Sequence, residues 1–185
     1  MPIYGRQSEG GGKSKFPPHP EGSYAAICAD VWDPWTVEST YADSKGKLID
    51  KTRVVWLTTE TNPETGEPWE VSEVLNLTMG SQEKPSRARE RFTSWRGKSF
   101  TDEEARKFDW ESLIGKTCYL TVVHNRKDGK TYANVSSIAP LPKGMPAPSI
   151  PASFTRKRDR VRVPKQQPQN DGWGESSDAD DSIPF

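Results

Sequence analysis

"TRVVWLTTETNPETGEPWEVSEVLNLTM" spans residues 52–79, and its two apolar halves are divided by turn-forming residues. The first half, 52–60, is rich in β-branched and aromatic side chains, which suit a pleated, half-buried surface. The second, 69–79, resumes after "TNPETGEP", whose Asn62, Pro63 and Gly66 favour a tight reversal. Two antiparallel strands paired as a hairpin are expected. Alternation leaves the inward face of the first strand open: Val55 and Leu57 bury in one register, Val54 and Trp56 in the other.

Working outward, "GSYAAICADVW" (22–32) reads as an earlier strand, with small and apolar residues and few breakers. The period then changes. "KPSRARERFTSW" (84–95) offers Ser86 as a helix N-cap and an apolar stripe of Ala88, Phe92 and Trp95. "TDEEARKF" (101–108) opens with Thr101 and acidic residues, which suit the positive end of a second short helix. "TCYLTVVHN" (117–125) and "KTYANVSSIAP" (130–140) flank Asp128-Gly129, a strong hairpin signal. Three strands, a helical insertion and two strands make a mainly β protein. That is the element order of an OB-fold, a five-stranded barrel with its short helical insertion between strands three and four. Small SH3-like and split-barrel folds compete with it. The expected core is Ile27, Val31, Leu75, Leu77, Leu120, Val122, Val135 and Ile138.

The ends differ in composition from this middle. Residues 1–20, with Gly10–Gly12, Pro17, Pro18 and Pro20, read as a flexible leader before a domain at 21–140. Residues 141–170 form a Pro-rich basic linker, and 171–185 an acidic tail; both tails are expected to be disordered. The formal net charge is zero, but it is unevenly placed. Arg156, Lys157, Arg158, Arg160, Arg162 and Lys165 precede a tail that holds Asp171, Glu175, Asp178, Asp180 and Asp181 with no Lys or Arg. A nucleic-acid surface on the body must therefore be a local patch. The basic stretch itself can be a solvated linker, a source of phosphate contacts or a partner for the acidic tail. No apolar run is long enough to cross a bilayer and the start lacks a secretion signal, so the expectation is a cytoplasmic protein without a membrane partner.

The last residues, "DADDSIPF", set Asp178, Asp180 and Asp181 before Ile183, Pro184 and Phe185. A tail that served solubility alone would have no reason to finish on apolar side chains. This ending resembles the acidic tip of bacterial and bacteriophage single-stranded DNA-binding proteins. "LIGKTCYLTVVHNRKDGKTYANVSSIAPLPKG" is also similar to the OB-type members carried by bacteriophages, through its strands and turns. The inserted helical segment and the long first loop depart from the common bacterial protein. The resemblance implies a protein that protects single strands in replication, recombination and repair. It also implies a tip that recruits a polymerase, helicase or primase, or nuclease, with Ile183 and Phe185 in an apolar pocket and the carboxylates on Lys or Arg. Homo-oligomerisation stays open.

Sequence-tolerant binding of single strands needs cations along the phosphates and flat rings under the bases. Both recur at three places where OB-folds bind. The first loop carries Trp35, Tyr41, Lys45, Lys47 and Lys51; the next strand adds Arg53 and Trp56; the last hairpin adds Arg126, Lys127 and Lys130, flanked by Tyr119 and Tyr132. Trp32 and Trp110 read as closing the barrel ends and Trp95 as helix core. No catalytic residue, metal site or cofactor is expected. Cys28 and Cys118 read as core residues, and neither they nor His19 and His124 have metal-ligand spacing. The carboxylates Asp30, Asp33, Glu60, Glu70 and Glu73 match no nuclease spacing. A strand-annealing protein built on the same chemistry is the nearest alternative, and a metal-dependent nuclease a more distant one.

Overall fold

The computed structural model describes residues 17–160. Its strands are β1 (Gly22–Val31), β2 (Trp35–Glu38), β3 (Leu48–Thr61), β4 (Pro68–Asn76), β5 (Thr117–Lys127) and β6 (Lys130–Ala139). Helices α1 (Arg87–Arg96) and α2 (Asp102–Arg106) lie between β4 and β5. The fold is mainly β and its strand pairs are antiparallel.

Both expected hairpins form, and local chemistry explains each. β3 pairs with β4 from Lys51↔Asn76 to Thr61↔Pro68. Their turn is held by Asn62, whose Oδ1 accepts from Glu64 N at 2.9 Å and whose carbonyl accepts from Gly66 N at 2.8 Å. At the β5–β6 turn Asp128 and Gly129 both have positive φ, 52° and 73°, as a two-residue hairpin loop demands. Helix α1 starts at Ser86, whose side chain accepts from Arg89 N. It stops at Gly97, whose φ of 71° is open to a residue without Cβ. Helix α2 opens on a reciprocal capping box between Thr101 and Glu104.

The register of β3 places Val54 and Trp56 in the main core with Val71 and Leu75 of β4. Arg53 decides this choice, because the opposite register would turn its guanidinium into an apolar interior. Ala26, Cys28 and Val31, Cys118, Leu120 and Val122, and Val135 and Ile138 complete the sheet's contribution. The α1 stripe of Ala88, Phe92 and Trp95 covers it. Phe92 meets the Trp110 ring edge-on at 4.9 Å, and Trp95 donates from Nε1 to Thr117 O at 2.8 Å. Burial raises the Cys28 thiol to about 12 and also raises Cys118, so neither is a reactive thiolate. Leu77, expected in the core, is only half-buried.

Four further differences from the expectation have physical causes. The sheet has six strands, because Trp35–Glu38 inside the expected first loop pairs with an N-terminal extension of β3, from Trp35↔Lys51 to Glu38↔Leu48. The sheet is not closed: its path is β2-β3-β1-β5-β6, with β4 attached to β3 and no ladder between β4 and β6. Arg91 of α1 spans that seam. Its Nη atoms donate to Ser136 O at 2.6 Å and Val135 O at 2.8 Å, and its Nε faces the buried Glu73 of β4. A guanidinium thus donates to two successive carbonyls of β6 beside the seam.

The other two differences concern the ends. Pro17–Pro20, assigned to the flexible leader, belong to the folded body: His19 is 2% exposed, between Tyr24 and Trp69. Its Nδ1 donates to Pro20 O at 2.8 Å, leaving Nε2 to accept from the Thr58 hydroxyl at 2.8 Å. Residues 150–160, assigned to the linker, also pack on the body. Ile150 and Phe154 cover Ile27, Ala29 and Leu57 on the outer face of β1 and β3. Proline content gave these segments the composition of linkers, whereas their anchors are tertiary contacts.

Candidate nucleic-acid interface

Strand parity sets the site. Thr52, Val54 and Trp56 point into the core, so Lys51, Arg53, Val55 and Leu57 occupy the outer face of β3. Val55 and Leu57 are buried there, whereas Lys51 and Arg53 keep partial exposure. Their cross-strand neighbours share the face: Trp35 opposite Lys51 on β2, and Asn76 and Val74 opposite Lys51 and Arg53 on β4. Trp32, just after β1, donates its backbone N–H to Arg53 O at 2.9 Å. Its ring lies 6.4 Å from that of Trp35.

Two cations lie over the Trp32 ring. The Arg53 guanidinium carbon is 4.4 Å from its centroid and Lys157 Nζ is 3.2 Å from it. Arg53 Nε is buried and has no hydrogen-bond partner among the described residues. The rings and cations border an open cleft of about 570 Å³, completed by Asp33, Arg158 and Arg160. Arg53 also borders a second cleft of about 440 Å³ at the β4–β6 seam, where Val74, Arg87, Tyr132 and Asn134 line the walls. Through Arg53 the two clefts meet across the outer face of β3 and β4. Val74 and Tyr132 are exposed there, at 40% and 49%.

Of the residues singled out from sequence, Trp35, Arg53 and Tyr132 are brought to these adjoining clefts, and Lys51 stands opposite Trp35 in the β2–β3 pair without lining either. Tyr41, 70% exposed, and Lys45 and Lys47 lie on the connection from β2 to β3, which extends the Trp35 and Lys51 strands outward. Arg126, Lys127 and Lys130 lie at the β5–β6 tip, where Lys127 pairs with Lys130 and all three are exposed. Tyr119 is half-buried on β5, flanked by Ala25 of β1 and Ala139 of β6, away from the residues lining either cleft. Trp56 is excluded as a stacking platform: it is 1% exposed and packs 6.0 Å from the Trp95 ring. Asp178, Asp180, Asp181, Ile183, Pro184 and Phe185 lie outside the described residues.

Trp32 is the residue that sequence reasoning passed over. It ends an apolar run and so reads as a barrel plug, but it is half-buried with its ring in the cleft. The signal available was the pair Trp32 and Trp35 separated by Asp33-Pro34, a turn too polar to bury both rings. Among the described residues no group of three or more His, Cys, Asp or Glu could hold a metal ion, and no helix is long and apolar enough to cross a membrane. Comparison with known proteins adds no family: no family model matches the chain, and no curated protein is significantly similar to it.

Proposed function

We propose that this protein binds single-stranded DNA, largely independently of sequence, and protects it during replication, recombination and repair. The observation that carries this reading is the cluster of Trp32, Trp35 and Arg53, flat rings interleaved with a cation on the outer face of a β-sheet. Such a surface offers stacking to every base and charge to every phosphate, and selects little among sequences. Bases in a duplex are already stacked on each other, so a ring platform favours unpaired strands.

The strand arrangement supports an OB-type assignment. β1–β3, β3–β4, β1–β5 and β5–β6 are the neighbours that such a barrel needs, with the helices between its third and fourth strands. The Arg91 bridge stands where the closing ladder would run. The clefts lie on the outer face of the strands equivalent to an OB-fold's second and third, where such folds hold oligonucleotides.

The acidic tip supports a second role. Ile183 and Phe185 beside Asp178, Asp180 and Asp181 suit a partner surface with an apolar pocket ringed by Lys or Arg. In this reading the protein is noncatalytic and delivers replication and recombination enzymes to the strand it coats. Competition gel shifts with a thymidylate oligomer, its duplex and the matching RNA test the first role. Preference for the unpaired DNA is expected; equal affinity for duplex would refute it. Deleting 176–185 is expected to abolish partner capture while leaving the oligomer bound.

A further inference from the structure

Residues 150–160 contribute no strand to the sheet, yet they are fastened to it at several points. Ile150 and Phe154 pack on Ile27, Ala29 and Leu57, and Ser153 Oγ donates to Glu67 at 3.2 Å. The strongest fastening is Asp30, which is 2% exposed on the outer face of β1. Its Oδ1 accepts from Arg156 Nε at 3.0 Å and its Oδ2 from the backbone N–H of Lys157 at 2.8 Å. A carboxylate buried there is tolerable only with such partners. Asp30 therefore fixes the backbone at Lys157.

That anchor determines where the next charges fall. Lys157–Asp159 form a single 3₁₀ turn, and Lys157, Arg158 and Arg160 line the cleft that holds Trp32, Trp35 and Arg53. Arg158 is committed to Asp33 at 3.1 Å and to Glu111. Among the described residues Lys157 and Arg160 have no carboxylate partner; Lys157 rests on the Trp32 ring and Arg160 Nε donates to Thr155 O. Two cations that no described carboxylate pairs, at the mouth of an aromatic cleft, are placed for an anionic ligand.

We infer that residues 150–160 form one wall of the strand site, and that a base stacking on Trp32 displaces Lys157 from the ring, so that Lys157 and Arg160 each contact a backbone phosphate. The inference rests on the single-strand reading and adds to it the element that supplies phosphate contacts beside the rings. It makes the strap part of the binding module rather than a spacer to the tail.

Salt-dependent titration of the full chain with a thymidylate oligomer tests it. Lys157→Gln and Arg160→Gln alter exposed side chains and leave the apolar anchors intact, and unchanged melting confirms the fold. Each substitution is expected to lower the slope of log affinity against log salt by about 0.7, and the double variant by about 1.4, through counterion release. An unchanged slope overturns the inference, whether affinity stays constant or tightens; tightening would mean that Lys157 blocks the ring. If the unaltered protein fails to bind the oligomer at all, the strand-binding reading falls and this inference with it.

Discussion

Lys157 Nζ lies 3.2 Å from the centroid of the Trp32 ring, joining the last described segment of the chain to the end of its first strand. The contact depends on the ion pair of Arg156 with Asp30 one residue earlier. The geometry of the cleft is thereby tied to a buried carboxylate that also accepts from the backbone N–H of Lys157.

Arg156→Ala leaves Asp30 with one backbone donor in a site 2% exposed. Removing one partner of a buried pair costs about 3 kcal/mol. Here release of the strap to let water reach Asp30 caps the penalty. Hydrogen exchange is expected to rise at 150–160 while β3 and β5 stay protected; unchanged exchange in the strap would contradict the anchoring role.

The two classes of tryptophan should separate cleanly. Trp35→Ala and Trp32→Ala are expected to weaken oligomer binding by about 1–3 kcal/mol each, the value of one base stacked on a ring, with small changes in melting. Trp56→Ala is expected to lower stability by about 3–5 kcal/mol through loss of a core indole. Paired binding and melting measurements on the three variants check this.

Arg91→Ala opens the β4–β6 seam. It strips the donors from Val135 and Ser136 carbonyls and leaves Glu73, 8% exposed, with Arg87 alone. A loss of about 2 kcal/mol is expected in chemical denaturation. Arg91→Lys, which cannot fork between two carbonyls, should recover only part of it.

Acidification should loosen the docked N-terminal residues. Burial lowers the His19 pKa from its ordinary 6.5, so the unfolded chain binds the proton more readily than the folded one. Its contribution is fully present above pH 6.5 and is lost as pH falls through the lower folded value. Melting temperature of the native protein should therefore fall between neutral pH and pH 5 more steeply than that of His19→Gln. Parallel slopes would contradict the assignment of a neutral, buried imidazole.

What could be read before folding was whatever depended on neighbours in the chain. The Asn62–Gly66 and Asp128–Gly129 turns, the Ser86 and Thr101 caps and the α1 stripe are local, and each formed as expected. β2 was hidden because the alternation of Trp35 and Val37 with Thr36 and Glu38 is only four residues long, inside a stretch that reads as a polar loop, and is held as a strand by pairing with Leu48–Lys51. The strap was hidden for a related reason. Its prolines describe an extended chain accurately, but Ile150, Phe154 and Arg156 find their partners on β1 and β3, far away in sequence. The same distance concealed the setting of Trp32. Trp56 went the other way: alternation left two registers, and only the parity of Arg53 with the outer face selects one.

The most direct measurement is tryptophan fluorescence of the full chain titrated with a thymidylate oligomer and, separately, with a duplex of equal length. The account predicts saturable quenching by the single strand, weakened by salt, removed largely in the Trp32→Ala, Trp35→Ala double variant, and absent or far weaker with the duplex. Indole emission untouched by the oligomer, or quenched equally by both ligands, would contradict it.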